Sequence, residues 1–82
     1  MARLFDEIVG VLTPGVGEHM ARVSVEMHLA KSGLDRDSLG PHHLHDLVRA
    51  IQPGLAVFVG KTDASELADR VLGLLSAARN GG

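Results

Sequence analysis

From Thr13 to Leu34 the sequence runs TPGVGEHMARVSVEMHLAKSGL, a stretch that holds a helix start, a helical pattern on two faces and a helix stop. Proline is favoured at the first helical position, because its ring fixes φ and its missing N–H needs no partner there. Thr13 and Pro14 therefore predict a helix over 14–32. Within it Val16, Met20, Val23, Met27, Ala30 and Leu34 recur at alternating spacings of four and three, the seam of a packed helix. Beside that seam runs a stripe of small residues, Gly17, Ala21 and Ser24, which leads into His28 and lets another backbone come close. Ser32-Gly33-Leu34 reads as the stop, with Gly33 left-handed and Leu34 folded back on the last turn.

The flanking segments repeat these devices. Arg3 to Leu12 predicts a short helix with Leu4, Phe5, Ile8, Val9 and Leu12 turned inward. Thr13-Pro14-Gly15 predicts a corner, since the residue before a proline is pushed out of helical geometry. Asp35 to Gly40 is a polar connection from which Leu39 packs inward. Pro41 then opens a helix to Ile51 with Leu44, Leu47, Val48 and Ile51 on one face. Gln52-Pro53-Gly54 predicts a second break. The run LAVFV, Leu55 to Val59, suits a buried strand or a buried helical turn; lacking a strand to pair with, it is read as helical with Gly60 as its stop. The last helix follows Lys61-Thr62-Asp63, with Thr62 as cap or Asp63 and Glu66 as a capping box. It presents Ala64, Leu67, Ala68, Val71, Leu72, Leu74, Leu75 and Ala78, and ends with Arg79 in its final turn.

The two halves resemble each other. FDEIVGVLTPGV (Phe5 to Val16) aligns with LHDLVRAIQPGL (Leu44 to Leu55), and Pro-Gly falls at the same place in both. The match is either a duplicated helical hairpin about a pseudo-twofold axis or the chance likeness of amphipathic helices that end in Pro-Gly. The expected fold class is all-α: one domain over 1–82, a compact bundle of four or five short helices packed at steep angles. Read as a duplication, its halves are helix–Pro-Gly–helix units over 1–39 and 40–82.

Size and charge bound the function. A chain of 82 residues buries only about 60–65% of its unfolded surface, which favours association as a source of stability. Its net charge of −2, from 8 basic and 10 acidic residues without a basic stripe, argues against nucleic acid. The absence of cysteine excludes disulfides and thiolate metal sites. No apolar run is long enough to span a bilayer, and MARLFDEIVG carries acidic residues where a signal peptide needs an apolar core. The expectation is a cytoplasmic protein without membrane contact.

Three short features carry candidate chemistry. In GPHHLHDL, a helix would put His42, His45 and Asp46 on one face, and imidazole and carboxylate are proper zinc ligands, so these three are the candidate metal site. Asp37-Ser38-Leu39 resembles the Asp-Ser-Leu attachment motif of acyl carrier proteins. That resemblance implies a four-helix bundle with phosphopantetheine carried on Ser38. It covers three residues, and the family's long preceding loop is replaced here by a helix that reaches Gly33. The terminal Gly81-Gly82 resembles the tail of ubiquitin-like modifiers, whose β-grasp fold the helical pattern does not match.

None of these makes a catalytic constellation, and no resident cofactor is called for. The reading is therefore a small non-enzymatic interaction or assembly module whose partner is another protein, first of all itself. The expected interface is the surface of the 14–32 helix, with Val16, Gly17, Met20, Ala21, Ser24, Met27 and His28, and with Phe58 as an anchor. The alternatives are a carrier domain modified on Ser38 and a metal-responsive module built on His42, His45 and Asp46.

Overall fold

The computed structural model describes residues 3–80, with side chains described as far as Ser76. The readings of Ala78, Arg79 and Gly81-Gly82 concern groups outside that description. The described residues form four α-helices: α1 (Arg3–Val16), α2 (Glu18–Ser32), α3 (Leu44–Val59) and α4 (Lys61–Asn80). A single 3-10 turn, Pro41–His43, leads into α3. The protein is thus all-α, and no described helix is long and apolar enough to cross a membrane.

The corners fall elsewhere than the prolines predict. Pro14 lies inside α1 and Pro53 inside α3. A helical proline frees one carbonyl, four residues back, from its N–H donor. Here those carbonyls belong to Gly10 and Arg49, both at the surface, where water can take the donor's place. The chain turns instead on single glycines. Gly17 (φ 88°, ψ 156°) closes α1 by donating its N–H to the Thr13 carbonyl at 2.8 Å. Its own carbonyl opens α2 by accepting from Ala21 N–H at 3.0 Å. Gly60 (φ 87°, ψ 163°) does the same between Ala56 (2.9 Å) and Ala64 (3.0 Å). Gly60 as the end of a helical LAVFV is as expected. α4 then starts at Lys61 directly, with Asp63 in its first turn rather than as its cap.

The second difference is the phase of α2. Its buried face is Ala21, Val25 and Leu29, not the seam through Met20, Val23 and Met27. α2 carries apolar side chains on two sides, so pattern alone does not choose between them. Packing selects the stripe on which the small Ala21 stands one turn from the tight corner. The other helices bury the faces their spacing predicts: Phe5, Ile8, Val9 and Leu12 in α1, and Leu44, Leu47, Val48, Ile51 and Leu55 in α3. Ala64, Leu67, Ala68 and Val71 do so in α4.

α2 ends as the sequence indicates. Gly33 is left-handed (φ 70°), and Leu34 N–H reaches back to the Leu29 carbonyl at 2.9 Å. In the connection that follows, Leu39 is buried. Arg36 pairs with Glu26 of α2 and lies over the Phe5 ring of α1, its guanidinium carbon 4.4 Å from the ring centroid.

α1 packs chiefly on α2 and α3 chiefly on α4, and the two hairpins meet through α1 on α4 and α2 on α3. One apolar cluster joins all four helices. The radius of gyration is 11.7 Å, the value of a tightly packed chain of this length.

Candidate interaction surface

The two glycine joints define how the halves correspond. Gly60 stands 43 positions after Gly17, and at that offset the core repeats itself: Phe5 with Val48, Ile8 with Ile51, Leu12 with Leu55, Ala21 with Ala64, and Val25 with Ala68. All ten of these side chains are buried. The Pro-Gly match implies an offset of 39, which also pairs buried residues, Phe5 with Leu44, Ile8 with Leu47 and Leu12 with Ile51, but does not bring the glycine joints into register. Pro14 precedes its joint by three residues and Pro53 precedes its joint by seven. The molecule is thus two helical hairpins, α1–α2 and α3–α4, each turning on a glycine of the same backbone conformation, with the joints 43 positions apart.

This correspondence locates a surface where the halves differ. Where the end of α1 meets α4, a pocket of about 240 Å³ is lined by Pro14, Gly15, Asp63, Glu66, Leu67 and Arg70, with Val59 beside it. Gly15 approaches so closely that a Cβ there would lie 2.6 Å from Leu67 Cδ1. The equivalents in the other half are Val57, Phe58, Met20, Val23, Ser24 and Met27, with Val16 beside them. Each charged member of the pocket is replaced by an apolar side chain. The small–large pair Gly15 and Leu67 becomes Phe58 and Ser24. Phe58, too large for the position of a glycine in close contact, is 60% exposed. Val57 is 83% and Met27 55% exposed, and these three are the large hydrophobic side chains the described surface leaves in water.

Of the residues expected at an interface, Met27 and Phe58 are exposed, Val16, Met20 and Ser24 are half-buried, and Gly17 is exposed at the joint. Ala21 is a correction: it is fully buried in the chain's own core, because α2 turns the face of Ala21, Val25 and Leu29 inward. His28 is half-buried and faces its own helix, with Nε2 3.4 Å from Ser32 Oγ. Val57 was hidden in the LAVFV run. Once α3 is continuous through Pro53, the phase of Leu44, Leu47, Ile51 and Leu55 places Val57 on the outside.

The three proposed metal ligands do not converge. Among the described residues no group of three or more His, Asp or Glu side chains could hold an ion. The reason is local: residues 41–43 form a 3-10 turn, which places His42 out of α-helical phase with His45 and Asp46. His42 instead lies against His43, ring centroids 3.9 Å apart. Nδ1 of His43 accepts the Gly40 N–H at 2.9 Å and so fastens the entry to α3.

Ser38 is exposed in the connection between α2 and the 3-10 turn, not at the start of a helix. Its N–H donates to Asp35 Oδ1 at 2.8 Å. That bond first, and the Ser38 hydroxyl second, hold the Asp35 carboxyl below its ordinary pKa. The chain has no match among known protein families, curated proteins or solved structures.

Proposed function

We propose that the chain is a small, non-enzymatic helical interaction module of the cytoplasm that associates with copies of itself through the outer stripe of α2 and the end of α3. The observation that carries this reading is the exposure of Met27, Val57 and Phe58, at positions that correspond, counted from the glycine joints, to Arg70, Pro14 and Gly15 of the charged pocket. Apolar side chains exposed together mark a surface that is covered in use. A second copy is the occupant the chemistry favours. The patch carries no formal charge, so placing it against itself across a twofold brings no like charges together. Two methionines let such a contact adapt its shape. The wholly apolar core supports the non-enzymatic side of the reading, since no described buried side chain is polar or charged and catalytic groups are commonly tuned by burial.

The test is solution mass by light scattering after size exclusion, detected by refractive index because the chain has neither Trp nor Tyr. In high salt, wild type is expected as a concentration-dependent dimer and the Met27→Ser/Phe58→Ser variant as a folded monomer. Wild type that stays monomeric at high concentration overturns the reading.

A further inference from the structure

Two grooves lie at the helix corners, one in each hairpin. In the second half Arg49, Gln52, Pro53 and Ala56 of α3 with Lys61 and Ala64 of α4 enclose about 370 Å³. In the first half Asp6, Val9, Gly10 and Thr13 of α1 with Glu18 and Arg22 of α2 enclose about 450 Å³. At the offset of 43, Asp6 corresponds to Arg49 and Glu18 to Lys61. One groove is thus built twice, with the charge reversed at both positions. The balance is not cancelled within the chain. Arg3, Arg22 and Arg36 are paired with Glu7, Glu18 and Glu26, whereas Arg49 and Lys61 have no carboxylate partner among the described residues. Asp6 likewise has no cationic partner among them.

We infer that the basic corner of one copy docks on the acidic corner of the next. Basic on basic would oppose four cations. Acidic on acidic would oppose four carboxylates, relieved only by Arg22 of each copy. Basic on acidic sets Arg49 and Lys61 against Asp6 and the Glu18–Arg22 pair, so charge still selects the heterologous contact. Every copy then keeps one free corner of each sign, and association runs head to tail instead of closing as a twofold dimer. The four charged side chains are exposed, so the contact is weak and weakens with salt. It uses none of the residues of the apolar patch and shares with the proposed function only the premise that the chain meets itself.

The experiment works in the Met27→Ser/Phe58→Ser background, which removes the apolar contact and so separates the two readings. Asp6→Lys/Glu18→Lys makes both corners basic, and Arg49→Glu/Lys61→Glu makes both acidic. Each variant alone is expected to sediment as a monomer in low salt. Their equimolar mixture is expected to show at least twice the weight-average mass of either, and to return to monomer as salt is raised. A mixture that sediments as the sum of its parts overturns the inference. Should the charge reversals impair folding, the background protein with Arg49→Gln/Lys61→Gln gives the same decision: it must lose a salt-sensitive association that the background protein shows in low salt. A background protein with no such association overturns the inference as well.

Discussion

Gly17 and Gly60 hold one backbone conformation, φ 88° with ψ 156° and φ 87° with ψ 163°, and each is at once the end of one helix and the start of the next. That region of backbone space is open essentially to glycine alone. No Cβ placed at either residue would meet a neighbour within 4 Å, so a substitution there is opposed by the torsion and not by crowding. Gly17→Ala and Gly60→Ala should each cost about 1–3 kcal/mol, and by similar amounts because the joints are built alike. Gly10→Ala, on the open face of α1, should stabilise by about 0.5–1 kcal/mol. Urea unfolding followed by circular dichroism measures all three. A Gly17→Ala protein as stable as wild type would show that the corner is unstrained.

The contact between Gly15 and Leu67 makes a second prediction about packing across the hairpins. A methyl group on Gly15 must displace the buried Leu67 side chain, so Gly15→Ala should destabilise by about 1–3 kcal/mol, the usual range for overpacking. Leu67→Ala alone should cost about 2–5 kcal/mol through lost burial and the cavity it leaves. Combined, the new methyl enters the space that Leu67 vacates, so the double variant should be more stable than the sum of the singles requires. Additive effects in that double-mutant cycle would place the α1–α4 contact elsewhere.

The phase of α2 gives a third. Val25 is fully buried and Val23 half-buried, so Val25→Ala should cost about 2 kcal/mol and Val23→Ala under about 1 kcal/mol. Thermal melts of the two variants decide between the faces. Equal shifts, or a larger one at position 23, would rotate α2 back to the seam through Met20 and Met27.

That rotation marks the limit of what was legible in the sequence. Helices with one apolar side, α1 and α3, are read correctly because Phe5, Ile8 and Leu12, or Leu44, Leu47 and Ile51, leave a single face to bury. α2 has two, and only the partners across the core choose between them. The prolines misled for a related reason. Pro14 and Pro53 break a helix only where the freed carbonyl has no other donor, and the exposure of Gly10 and Arg49 is a tertiary fact. The Pro-Gly repeat accordingly does not mark the joints, which lie 43 and not 39 positions apart. In the sequence, Met20, Met27 and Phe58 read as surface only because they are apolar beyond what one small core needs. Val57 becomes visible once α3 is continuous through Pro53, and the charge inversion of Asp6 and Glu18 against Arg49 and Lys61 once the glycine joints are brought into register.

The connection after α2 makes the pH prediction. Asp35 accepts the Ser38 N–H at 2.8 Å, and the hydrogen bonds from Ser38 favour the ionised carboxyl and lower its pKa in the folded chain. A group whose folded pKa lies below its unfolded one contributes stability that is present above the unfolded value, about 4 for Asp, and lost as pH falls through the folded value. The contribution should therefore be whole at neutral pH and fade only in acid below about pH 4. Because Asp35 is fully exposed, the effect is small and best read at the residue itself. A carbon-detected NMR titration should place the Asp35 midpoint below that of an unstructured Asp. Ser38→Ala should raise it by removing the hydroxyl while leaving the backbone bond in place. If the midpoint in wild type is that of a free aspartate, the turn does not hold in solution, and the brace of Arg36 on Glu26 and Phe5 would be left to order the segment.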